Sequence, residues 1–516
     1  MRKILRLVRA LPTVESGVTT FSMPQPDSKT PSPGLQLARH DVHPLELTAS
    51  WVIAAELVFL PWAYGGMRIW SHVIALVLAL AAFVVALLPR YYDDRSTGEQ
   101  PFWLYTWPKL LRFPLFWLGL VFLGYVAIQA INPAWEYQTD GVVFWMRNIP
   151  ENSHWPAGMR APLAQWNPWR MLMIYSAVWL TVCALWIATT RRRTLHLILT
   201  TIAANGLVLA MLGLIYRMKN NGKFLWFLEP PTHYFVASIP YKNHAATYFN
   251  LVVAVTLALG FWVYLRDERR MEKSSPAPLY GFAAAIMAMM VIFSFSRAGV
   301  ILMICMVAAT LAALGLYEFR RGAEKRSFAI SFALLLVLAG FVGVTAYALG
   351  VDRVIARFEN LFGEHRRMSI DARIIVRDAT LEMARDRLAY GWGAGCFRFG
   401  FPIYQMRYDK IAYDWQHQRM FWEHAHNDWV QVLAEFGIVG CSIIASLLAC
   451  AVAYAVRSRF WRNPVAAVLA IALATTLLHA WVDFPFQNPA ILTTWCVFFI
   501  GLILWAELDE VTVRLA

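Results

Sequence analysis

The residues most suited to chemistry are His424-Ala425-His426-Asn427-Asp428, a short polar run placed immediately before an apolar segment. Histidine exchanges a proton near neutral pH, so it can serve as a general base. Glu423 or Asp428 can orient it through a hydrogen bond. A metal reading takes His417, His424, His426 and Asp428 as ligands, but histidines two apart diverge on a helix and no standard zinc spacing is present. No metal or other cofactor is expected. Four further stretches carry charge. Ser294-Phe295-Ser296-Arg297-Ala298-Gly299 interrupts a long apolar region, and its Arg297 is costly there unless it faces water, an anion or an acidic partner. Snorkelling at the membrane interface is the plainer alternative. Arg373 and Arg377 are four residues apart on a helical pattern, so both guanidinium groups share one face. Paired arginines suit a diphosphate, although Asp371 and Asp378 offer ordinary salt-bridge partners. Lys242 and His244 enter one apolar segment, and Asp483 lies in the Pro-containing turn between two others. Gly391-Trp392-Gly393-Ala394-Gly395 is a loop that can bring backbone close to a ligand.

What must position these residues is a membrane bundle. Of the 516 residues, 59% are hydrophobic and 15% are charged, and the mean hydropathy is +0.48. Apolar runs of about 16–22 residues recur along the chain, near the length needed to cross a bilayer. About 12 can be counted. They cover 49–64, 73–88, 116–131, 172–188, 195–214, 245–265, 280–293, 300–316, 328–349, 438–456, 466–482 and 491–506. An all-α polytopic transmembrane bundle follows, because lipid offers no partner to an unpaired backbone group. The six cysteines make no disulfide framework, and five of them lie in apolar runs.

The net charge of +13 is mostly a topology signal. Arg191 to Arg193, Arg266 to Lys273, Arg320 to Arg326 and Arg457 to Arg462 occupy short connections on one side, together with the basic N-terminus. The positive-inside rule makes that side cytoplasmic and places both termini there. Charge spread over alternate loops does not suit a nucleic-acid surface, so no nucleic-acid partner is expected. Residues 1–48 read as a cytoplasmic, disordered segment without a cleavable signal. Residues 49–349 hold spans one to nine, and 350–436 form a large, partly helical periplasmic loop between spans nine and ten. Spans ten to twelve occupy 437–507, and 508–516 are a cytoplasmic tail. By this topology all the charged stretches meet at the periplasmic face. Two aromatic, Pro-rich loops, 132–168 and 217–243, lie there also and can lid or shape a site.

The run from His424 through Gln431 to Gly440 resembles the signature of the O-antigen ligase and O-antigen (exopolysaccharide) polymerase superfamily. Ser296-Arg297-Ala298-Gly299 is similar to the Ser-Arg turn of that superfamily, and Arg373 to Phe397 to its arginine-led helix and glycine-rich turn. Asn243-His244 and Asp483 to Gln487 resemble it more weakly, and the likeness covers roughly residues 195–490 in the family's order. The resemblance implies a multi-pass glycosyltransferase of the bacterial inner membrane. It would move a glycan from an undecaprenyl diphosphate carrier to a hydroxyl of an acceptor glycan or lipid A core. Arg297, Arg373 and Arg377 would hold the diphosphate, and His426, directly followed by Asn427, would be the base. His424, Asn427, Asp428, Lys242, His244 and Asp483 would support it. A good leaving group needs no general acid once its charge is neutralised, so a metal-independent, inverting reaction is expected. The competing readings are a flippase or transporter of lipid-linked glycans, which would require charges deep in the spans and internal repeats, and a protein O-oligosaccharyltransferase.

Overall fold

The computed structural model describes residues 41–93, 101–219, 235–271, 274–322, 364–414 and 416–515. Residues 1–40 and the expected span 328–349, with the start of the expected periplasmic loop, lie outside the described residues, as does most of the loop 217–243.

The protein is a polytopic helical membrane protein. Among the described residues, nine helices are long and apolar enough to cross a membrane. They are α1 (Pro44–Trp62), α2 (Ile69–Leu87), α4 (Pro114–Ile131), α5 (Pro168–Ala188), α6 (Arg192–Lys219), α7 (Lys242–Arg269), α9 (Arg297–Arg321), α13 (Asp428–Arg457) and α15 (Pro489–Leu515). Two further apolar helices, α8 (Ala277–Phe293) and α14 (Pro464–His479), are shorter. The remaining helices are α3 (Trp107–Leu111), α10 (Glu364–Asp386), α11 (Phe397–Gln405) and α12 (Asp409–Ala412).

Local chemistry sets the helix starts. Pro44, Pro114, Pro168, Pro464 and Pro489 stand at first helical positions, where a missing N–H costs nothing. Asn167, Ser296, Asn427 and Asn463 cap α5, α9, α13 and α14 with side-chain oxygens. α9 stops at Gly322, which takes the left-handed conformation (φ 71°) after Arg320 and Arg321. α7 is the central helix of the bundle, its apolar stretch 78% buried, and it packs against α8 and α14.

Two small sheets supplement the helices. β1 (Arg90–Tyr92) pairs antiparallel with β2 (Phe102–Leu104). β3 (Pro133–Thr139) lies between β4 (Phe144–Asn148), antiparallel to it, and β5 (Gly158–Arg160), parallel to it. This second sheet comes from the expected loop 132–168 and shares a hydrophobic core with α10 and α11, through Trp135, Met159, Val376, Met383, Trp392 and Phe397. The loop therefore helps to build a folded layer at one end of the bundle.

That layer is stitched to the bundle at a break in α13. Gly437 has φ 60° and ψ −169°, a conformation essentially confined to glycine. The break removes rungs from the helical ladder, and the turn after α10 replaces them. Ile438 and Val439 N–H donate to Leu388 and Ala389 carbonyls, while Trp392 and Gly393 N–H donate to Ala434 and Glu435 carbonyls. A Cβ on Gly391 would lie 2.4 Å from the Glu435 backbone, and one on Gly437 2.5 Å from Ala389 O. The glycine-rich turn thus serves close approach of backbone to backbone. Tyr125 Oη and Gln129 Nε2 of α4 donate to Tyr390 O and lock the seam from a third side.

Candidate active site

The site grows from the five residues before α13. Asn427 caps the helix, accepting from Val430 N–H at 3.2 Å, and its amide donates to Trp481 O at 2.9 Å. Asp428, buried, accepts from Phe486 N–H at 2.9 Å and from Gln487 Nε2 at 3.2 Å. Its own N–H donates to Ala480 and Asp483 carbonyls. These bonds fasten the histidine segment to the α14–α15 turn. Asp428 is therefore a clamp, and it does not orient a histidine as the sequence allowed.

The clamp brings Asp483 to His426. His426 Nδ1 donates to Asp483 Oδ1 at 3.2 Å, and Asn243 Nδ2 donates to Asp483 Oδ2. The carboxylate is 2% exposed and the imidazole 18%, so the buried acid orients a ring that substrate can reach. With the proton on Nδ1, Nε2 is left as the ring's acceptor. His426 also has φ 51°, a strained conformation for a side-chain-bearing residue and one that gathers at functional sites. Burial alone would push the Asp483 carboxyl up. The hydrogen bond from His426 and the charge of Arg373 outweigh it and hold the carboxyl well below the usual carboxylate range.

His424 has a different environment. It is buried, accepts from Gln431 Nε2 at 3.3 Å, and stacks on Phe484 with centroids 4.3 Å apart. Burial, then the charges of Arg398, His244 and His426, push its pKa well below the ordinary histidine value. Gln431 accepts from Ala425 N–H at 3.0 Å and donates to Glu435 at 3.2 Å, bracing the segment from beneath. His244 Nε2 donates to Phe484 O at 3.1 Å, and its ring meets Phe484 edge-on at 4.8 Å. Phe484 is thus the apolar hub for His244, His424 and His426, the last at 5.0 Å.

The arginines divide. Arg373, half-buried, donates to Val482 O at 3.0 Å, beside Asp483. Arg377, one turn further along α10, is exposed and pairs with its neighbour Asp378 at 2.8 Å. The salt-bridge alternative allowed by the sequence is the one adopted at Arg377. Arg297 opens α9, whose first turn is held against α7. Asn250 Nδ2 donates to Gly299 O at 3.1 Å, and a Cβ on Gly299 would lie 2.4 Å from Ala246 Cβ. Arg297 and Lys242, both half-buried, therefore sit at neighbouring helix starts, next to the Asn243 that reaches Asp483. The four residues of the metal reading do not converge. Among the described residues, no three His, Cys, Asp or Glu side chains are grouped to hold a metal ion.

Residues 282–445 match the model of the O-antigen ligase family. The matched stretch covers 164 of the 516 residues. It runs from α8 through the Gly437 break and includes Arg297, Arg373 and His426, whereas Asn243, His244 and Asp483 lie outside the matched stretch and reach the site through the fold. No curated protein matches the chain. The match supports an O-antigen ligase-type function in polysaccharide assembly. Sequence reasoning missed Tyr241, Phe484, Gln431 and Arg398 as parts of the site. Tyr241 stacks on Phe484 at 5.1 Å and accepts from Asn243 Nδ2 at 2.8 Å. Burial, reinforced by Asp483, raises its pKa far above the usual phenol value, so it stays protonated.

Proposed function

We propose that the protein transfers a glycan from an undecaprenyl diphosphate carrier to a hydroxyl of an acceptor glycan, at the periplasmic face of the bacterial inner membrane. Both termini are then cytoplasmic, and residues 350–436 are the periplasmic loop. The observation that carries this reading is the His426–Asp483 pair, a partly exposed imidazole oriented by a buried carboxylate beside Arg373.

In the reaction, His426 Nε2 takes the proton of the acceptor hydroxyl. The hydroxyl oxygen attacks the anomeric carbon, and the bond from that carbon to the carrier diphosphate breaks. The diphosphate leaves with the electron pair, and Arg297 and Arg373 stabilise its charge. The proton then passes from His426 to solvent. Attack opposite the leaving group inverts the anomeric centre. Asp483 stabilises the imidazolium that forms, while Asn243 and Tyr241 hold Asp483 in place. His424, Asn427, Asp428 and His244 keep His426 in its strained position. Lys242 adds positive potential near the diphosphate, and Arg377 lies at the rim. Arginines supply the leaving-group stabilisation that other glycosyltransferases take from a metal, so the transfer is metal-independent.

Purified protein in nanodiscs, given an undecaprenyl diphosphate-linked oligosaccharide, tests the reading. Release of undecaprenyl diphosphate with a lengthened glycan identifies a polymerase. Release that requires a lipid A core acceptor identifies a ligase. Activity that survives chelator supports the arginine mechanism, and activity lost with it overturns that part. Transport of the donor across the bilayer, with no transfer to either acceptor, favours the flippase reading.

A further inference from the structure

A second cationic group lies at the same end of the bundle, and the mechanism above does not use it. Trp166, just before α5, is almost fully buried between two guanidinium groups. Arg170 lies 4.1 Å from its ring centroid and Arg398 5.4 Å. Arg170 donates to His72 Nδ1 and to the carbonyls of Ala164 and Met67, which are neutral partners. Arg68, in the α1–α2 turn, adds a third charge that acts on Arg170 together with Arg398. Among the described residues, the one carboxylate within ion-pair distance of these three is Glu423, 3.6 Å from Arg398 and 59% exposed. Arg398 itself keeps only 11% of its side chain exposed. Burial lowers its pKa, and Glu423 and Glu435 offset this only in part. Charges so withdrawn from water are normally matched by opposite charge with good geometry. Here a long contact to a rim carboxylate, with the buried Glu435 acting at longer range, has to serve three cations. Glu423, which Arg398 contacts at 3.6 Å, is three residues before His426, which brings the group close to the reacting centre.

We propose that Arg398, which shares Trp166 with Arg170, is an oxyanion subsite for a sugar carboxylate on the acceptor, so that the protein extends or decorates an acidic polysaccharide. The proposal rests on the transferase reading, in which the donor diphosphate occupies Arg297 and Arg373 and leaves this group to the acceptor. The planar fork of Arg398 suits a carboxylate, which would displace the distant Glu423.

The test is a binding measurement without donor, on the full chain in phosphatidylcholine nanodiscs. The probes are an oligogalacturonate and its carboxyl-reduced counterpart. Wild type is expected to bind the acidic form about tenfold more tightly or better, the worth of one charge-assisted hydrogen bond. Arg398→Gln should bring that ratio close to one without weakening the reduced form, and Arg398→Lys should restore part of it. A wild-type ratio near one overturns the proposal with no variant needed, as does a ratio unchanged in Arg398→Gln. Loss of the ratio when phosphatidylglycerol is added assigns the site to a lipid headgroup and also overturns it. Because donor turnover is not measured, a failed ratio leaves the transferase reading standing, and a failed transfer assay leaves the ratio intact.

Discussion

Replacing Asp483 by Asn tests the proposed chemistry most directly, because it exchanges one carboxylate oxygen for an NH2 group and keeps the shape. In wild type, Asp483 accepts from His426 Nδ1 on one oxygen and from Asn243 Nδ2 on the other. Asn cannot accept from both. With its oxygen turned to Asn243, its NH2 faces His426 and obliges Nδ1 to accept. The imidazole proton then moves to Nε2, the atom that has to take the acceptor's proton. The negative charge beside the developing imidazolium is lost as well. A hydrogen bond to a charged group contributes about 1.5–3 kcal/mol, or roughly 10- to 150-fold in rate. Loss of a correctly protonated general base contributes about 10²-fold or more. We therefore expect kcat for undecaprenyl diphosphate release to fall by about 10²-fold or more, with KM for the donor little changed. Arg373 binds the Val482 carbonyl, and Asp428 N–H binds the main-chain carbonyl at 483, so the backbone there is held independently of the carboxylate. A kcat within about threefold of wild type, in protein of unchanged thermal stability, would refute the His426–Asp483 mechanism.

Three further outcomes are expected. Arg373→Gln should lower transfer by at least about tenfold, whereas Arg377→Gln, which removes an exposed pair with Asp378, should change it by less than about twofold in the same release assay. Stability should depend on pH through His424, whose pKa falls on folding. Below about 6.5 the unfolded chain binds a proton at residue 424 that the folded chain does not, so this residue's contribution to thermal stability should fall as pH is lowered from 7 to 5, against the opposite contributions of Asp428 and Glu435, whose carboxyls burial pushes up. His424→Phe keeps the stack on Phe484 and should gain stability relative to wild type as pH is lowered across that range in thermal unfolding. Gly437→Ala should destabilise by more than about 2 kcal/mol, because it adds strain at a positive φ and a Cβ against the backbone of 389–391, read as loss of folded yield or a lower unfolding temperature.

Much of the site was legible because its parts are short, polar and set in apolar surroundings. His426, Arg297, Arg373 and Asp483 were each conspicuous for that reason, since an ionisable group near a bilayer is expensive. Their roles were less legible. Asp428 is adjacent to the histidines in sequence, yet it clamps the α14–α15 turn, while Asp483, far along the chain, reaches His426. Arg377 shares a helical face with Arg373, but Asp378 lies close enough to pair with it. Nothing in its spacing singles out Arg398, since an arginine in a loop of mixed charge is normally solvated. Only its stacking on Trp166, contributed by a distant segment, shows that it is withdrawn from water.

The sequence by itself determined that this chain is a membrane bundle, because apolar run length and backbone hydrogen bonding leave few alternatives in lipid. It also determined that the polar chemistry belongs at the mouths of the helices, and which family its motifs resemble. The tertiary structure alone decided which acid meets which histidine, which arginine stays by the turn, and that a glycine-rich run welds the outer layer to a broken helix. Those outcomes depend on contacts between segments tens to hundreds of residues apart. Helical spacing and local charge do not encode such contacts, because they follow from how the packed helices bring distant turns together.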